Sequence, residues 1–108
     1  MTPRQVERTF ARHGVQLVEN YPNARPGPIV RADYRIPGRG VPLTGNKPNG
    51  WLTVFDSVQH AAVAKQRFRR IYGERNVVVR ANVLVEFLRD ADRAARQQVA
   101  DALSAVAS

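Results

Sequence analysis

From Asn76 to Leu88 the chain alternates. Val77, Val79, Ala81, Val83, Val85 and Phe87 are all apolar, whereas Asn76, Val78, Arg80, Asn82, Leu84, Glu86 and Leu88 are mixed. Period-two patterning in a run rich in β-branched residues predicts one long β-strand with a face in a core. So long a strand is expected to bend, and Arg80-Ala81-Asn82 is the expected site of a bulge. Three further runs read as strands. Val15 to Tyr21 is stopped by Pro22, and Ile29 to Ile36 has Val30, Ala32, Tyr34 and Ile36 on one side. Trp51 to Phe55 is apolar on both sides and is therefore expected in a central or covered position.

The helical segments carry start and stop signals. Thr2, Pro3 and Gln5 form a capping-box start, Val6 and Phe10 share a face, and Gly14 closes the helix. Asp56 or Ser57 opens a second helix, with Asp56 and Gln59 as a further capping-box pattern. Its expected inner face is Val58, Ala61, Ala64, Phe68, Ile71 and Tyr72, and Gly73 ends it. Asp90 or Asp92 opens a third helix, with Ala91, Ala95, Val99, Ala102, Leu103 and Val106 inward. The stretch Pro37 to Gly50, dense in proline and glycine, reads as a long irregular loop. The order is α-β-β-β-α-β-α over residues 1–108 as one domain. It predicts an α+β two-layer sandwich with a mixed, mainly antiparallel four-stranded sheet and helices on one face.

Composition narrows the function classes. The 108 residues hold no cysteine, which excludes disulfides, thiolate catalysis and cysteine metal sites. No run is apolar enough to span a bilayer, and the N-terminus has no leader-like apolar core, so the chain as written reads as cytoplasmic, or as exported if a leader has been removed. The net charge is +8, from 15 Arg and 2 Lys against 9 acids. Such a charge attracts polyanions, nucleic acid or anionic headgroups. An arginine and alanine bias is also what a GC-rich bacterial genome produces without any partner.

The candidate chemistry is sparse. Lys65, Arg67, Arg69, Arg70 and Arg75 form an arginine-rich helix face that could grip phosphates, although the default reading of such a face is a solvated surface. In the loop, Gly40 and Gly45 echo a phosphate-binding loop, but Asn46 stands where the lysine belongs, Lys47 comes one residue late and Pro48 replaces the hydroxyl residue. Arg39 and Lys47 are better read as contacts to a partner. His13 and His60 lie near no carboxylate or second histidine at metal-ligand spacing, so no metal and no cofactor is implied. The acids Glu19, Asp33, Asp56 and Glu86 are scattered, without the spacing of a paired-carboxylate site. Trp51 and Phe55 share parity on one strand and read as core fill rather than a base-stacking platform.

His13-Gly14-Val15 after a helix, the strand Trp51 to Phe55, and the run Val79 to Val85 together resemble small proteins and lipoprotein domains of GC-rich actinobacteria. The resemblance implies no catalytic residues, and export for many such proteins. These readings converge on a small basic binding or interaction module rather than an enzyme. Its expected partner is a protein, a second copy paired through the long strand, or a polyanion. The alternative is a nucleic-acid-binding protein that contacts the phosphate backbone through the arginine-rich helix.

Overall fold

In the computed structural model, residues 1–20, 29–38 and 48–106 are described. Three helices, α1 (Pro3–Arg12), α2 (Val58–Tyr72) and α3 (Arg93–Ser104), accompany five strands. These are β1 (Val18–Glu19), β2 (Val30–Ile36), β3 (Gly50–Phe55), β4 (Val77–Arg80) and β5 (Val83–Phe87). The fold is α+β, and the sheet runs β1-β2-β3-β5-β4 with every neighbouring pair antiparallel.

Besides the sheet being antiparallel at every pair rather than mixed, two details of the expected architecture are corrected. The run Asn76 to Leu88 is a hairpin, not one strand, so the sheet has five strands rather than four. Arg80 pairs with Val83 across Ala81-Asn82, and Ala81 takes a φ of 52°. Because the turn has two residues, odd positions before it share a face with even positions after it. Val77 and Val79 therefore lie beside Glu86 and Leu84, while Val83, Val85 and Phe87 point to the other face. The alternation is unbroken in sequence but is split between two faces in space. In place of a long edge, β4 offers an edge of only four residues.

The second correction concerns the layers, since helices cover both faces. Val6 and Phe10 of α1 and Val99, Ala102 and Leu103 of α3 pack on Tyr34, Ile36, Leu52, Val54, Val83 and Val85. Helix α2 packs Ala61, Ala64 and Phe68 on the opposite face, against Phe55, Val77 and Leu84. Strands β3 and β4 run parallel, with antiparallel β5 between them. The β3-α2-β4 crossover thus skips one strand, and β5 then fills the gap by hairpin.

Local signals place the helices. Gln5 N–H donates to Thr2 Oγ1 at 3.2 Å and Thr2 N–H to Gln5 Oε1 at 2.8 Å, which completes the capping box. At α2 the cap is Ser57, whose Oγ accepts from His60 N–H at 3.2 Å; the expected Asp56–Gln59 box gives way to it. Asp92 caps α3. Helix α2 is shallowly seated, with Ala61 alone fully buried. Val58 and Ile71, expected inside, are exposed, Ile71 to 64%, and Tyr72 is largely so.

Two polar side chains tie the elements together. Asn82 Nδ2 donates to the Phe55 carbonyl (2.8 Å) and the Met1 carbonyl (2.9 Å), and its Oδ1 accepts from the Met1 amine (2.9 Å). Arg96 of α3 stacks over the Phe87 ring at 4.9 Å and donates to the Leu88 carbonyl (2.7 Å) and Asn76 Oδ1 (3.0 Å). Burial, and next the neighbouring charge of Arg75, lowers the Arg96 pKa.

Candidate functional site: a carboxylate and aromatic groove on the sheet

Helix α2 lies over β4, β5 and β3 and leaves the β2 side of the same face less covered. The uncovered part is an open groove of about 840 Å³. Its floor is made by side chains at alternate strand positions, Asp33 on β2, Trp51, Thr53 and Phe55 on β3, and Glu86 on β5. Its helical wall is Ala64, Arg67, Phe68 and Tyr72. Phe68 and Tyr72, four apart on the helix, hold their rings 6.1 Å apart in a tilted pair. Ile29, Val30 and Asn20 complete the rim.

The sheet register brings together acids that are 53 residues apart in sequence, Asp33 and Glu86. Asp33 stands opposite Thr53 and Glu86 opposite Trp51. The two carboxylates are therefore diagonal neighbours across β3, with Cα atoms on the order of 12 Å apart from ordinary strand spacing and rise. Asp33 is held firmly: Asn20 Nδ2 donates to its Oδ2 at 3.2 Å and Thr53 Oγ1 to its Oδ1 at 3.4 Å. Burial raises its pKa despite these bonds. Glu86 is pushed up to about 7, first by burial and then by the negative charge of Asp33. Among the described residues no hydrogen bond or ion pair reaches the Glu86 carboxylate, and Asp33 has no ion pair.

Of the basic residues singled out by sequence, those that are described take different positions around and after α2. Arg67 lines the groove, Arg70 points to solvent, and Lys65 and Arg69 lie half-buried along the opposite flank of α2. Arg69 and Arg70 sit in the last turn, where the negative end of the helix dipole already favours cations. Arg75 lies beyond α2, close enough to Arg96 to lower its pKa. Arg39 and Lys47, and the echo of a phosphate loop around them, lie outside the described residues.

Of the histidines, His13 contacts the Thr9 carbonyl through Nδ1 at 2.9 Å. His60 does meet a carboxylate, contrary to expectation: its Nδ1 lies 2.6 Å from Asp56 Oδ1, one helical turn back, and this bond chiefly lowers the Asp56 pKa. Among the described residues no three metal-ligating side chains meet. Tyr34 is buried on the α1/α3 face, remote in parity from Trp51, whereas Arg35 pairs with Trp51 in register. A smaller cleft of about 250 Å³ beside α3, bounded by Gly14, Ile36, Asn49 and Gln98, carries no ionisable side chain among the described residues. The groove was missed in the sequence because nothing local links Asp33 to Glu86. Their only shared signal is an acid at an otherwise apolar-flanked strand position.

No protein family, curated protein or solved structure matches this chain.

Proposed function

We propose that the protein is a small, basic, non-catalytic binding module and that the groove between α2 and the sheet is its ligand surface. One observation carries this reading. In a globular chain, half-buried carboxylates are normally offset by a partner. Here Asp33 and Glu86 share an open, aromatic-walled depression, and among the described residues neither has an ion pair, although the chain is strongly basic. Carboxylates without an ionic partner beside half-buried aromatic rings are the makings of a recognition site. Thr53 Oγ1 donates to Asp33 Oδ1, and neither His13 nor His60 lines the groove.

Trp51, the single tryptophan, lines the groove and provides the assay. A small-molecule screen by thermal shift, with Trp51 emission as the second readout, is expected to yield ligands that move both. Stabilising ligands that leave Trp51 emission unchanged would place recognition elsewhere and defeat the reading.

A second reading, nucleic-acid binding, is favoured by the exposure of Arg67, Arg70 and Arg75 on and just after α2. It predicts that generic DNA and RNA bind at low salt and are released steeply as salt rises. Absence of binding at low salt ends it.

A further inference from the structure

We propose that the groove binds a small organic dication, two ammonium groups on an apolar chain, with one ammonium at Asp33, the other at Glu86, and the chain against the aromatic wall. The inference rests on the groove being the ligand surface.

The argument starts from charge. A half-buried anion without a partner is a standing cost, and a chain so rich in arginine has ample means to offset it internally. Arg67 lines the same groove yet pairs with neither carboxylate. The missing positive charge is therefore supplied from outside. Anionic ligands, phosphates included, meet two carboxylates there and are disfavoured.

Spacing specifies two charges rather than one. The carboxylates stand on strands separated by β3 and are offset by two residues along it. They feel each other's charge, since Asp33 helps to raise Glu86, but they form two seats, not a single chelating pair. Asp33 is fixed by Asn20 and Thr53, whereas Glu86 has no such anchor and can follow its ligand. Between the seats lie Trp51 and Thr53, and above them Phe68 and Tyr72. Aromatic faces accept methylene groups and attract ammonium through their quadrupoles. The volume of about 840 Å³ falls in the range of small-molecule sites rather than of extended protein interfaces.

The test is titration of the full chain with 1,2-diaminoethane through 1,8-diaminooctane, followed by Trp51 emission and calorimetry. The control arms are 1-aminobutane, butane-1,4-diol and succinate. One diamine length is expected to bind best and to shift Trp51 emission, at least tenfold more tightly than 1-aminobutane, with no response to the diol or succinate. Asp33→Asn and Glu86→Gln should each reduce that diamine to the level of the monoamine. Both are near-isosteric, and a thermal melt verifies that they fold. Arg67→Ala should tighten diamine binding severalfold, the opposite of what phosphate recognition by Arg67 requires.

Equal affinity for monoamine and diamine, no diamine binding, or full affinity in both carboxylate variants would overturn the proposal. A Trp51 response to succinate or the diol would likewise overturn the dication while leaving the groove as a ligand surface. Diamine binding untouched by either variant and silent at Trp51 would remove both.

Discussion

Replacing Glu86 by glutamine tests the electrostatics of the groove directly. In the folded protein the Glu86 pKa rises from 4.5 to about 7 because burial removes water and Asp33 adds like charge. A carboxyl whose folded pKa is raised holds its proton longer in the folded state than in the unfolded one. Below the unfolded value both states are protonated and nothing is lost. Between 4.5 and about 7 the unfolded chain ionises first, so stability falls as pH rises, and above that window the penalty is complete. At about 1.4 kcal/mol per pKa unit the full penalty would be about 3 kcal/mol. The groove is open and Glu86 is only half-buried, so screening reduces this to about 1–2 kcal/mol. Glu86→Gln keeps the shape and removes the charge. Urea unfolding should therefore show the variant equal to the parent near pH ~4 and more stable by about 1–2 kcal/mol near pH ~8. Parallel stability curves for the two proteins across this range would show that Glu86 is well solvated, and the groove would lose its reason to seek a cation.

Three further substitutions probe the frame that holds the groove. Asn82→Ala deletes three hydrogen bonds and leaves the buried Phe55 carbonyl without its amide donor, a loss of about 2–4 kcal/mol that chemical denaturation would register. Gly50→Ala places a Cβ on the Glu86 carbonyl, where backbone rather than a pliant side chain must yield. A loss of about 2 kcal/mol or more is expected, together with a changed Trp51 emission maximum, since Trp51 is the next residue. Ala81→Gly should instead stabilise by about 0.5–1 kcal/mol, because glycine adopts the left-handed conformation at φ 52° without penalty. A destabilised Ala81→Gly would mean that the half-buried methyl matters more than the backbone strain.

The reach of sequence patterning differs from element to element. Helix α1 was fully legible, since Thr2, Pro3 and Gln5 act only through their own neighbours and need no tertiary partner. Helix α3 was legible in its inner face, Val99, Ala102 and Leu103, whereas the choice of Asp92 over Asp90 as cap came only with the structure. Helix α2 was placed correctly, but its inner face was overstated. Ile71 and Val58 fit the helical stripe, yet they lie in the last and first turns of α2 and stay exposed. The hairpin was hidden because Ala81-Asn82 lacks the glycine that usually marks such a turn, and because a strand buried on both faces is apolar at either parity.

Local chemistry thus determined the α+β class, the helix starts, the stretches that feed the sheet and the strong positive charge, but not where one strand ends and the next begins. These depend on side chains within about one turn or one pleat of each other. Tertiary structure alone decided that helices cover both faces, that β5 inserts between β3 and β4, and that Asp33 and Glu86 become diagonal neighbours beneath α2. Strand register is a long-range pairing, and no residue within reach along the chain encodes it. The feature on which binding is argued is accordingly the one feature that exists only once the sheet has formed.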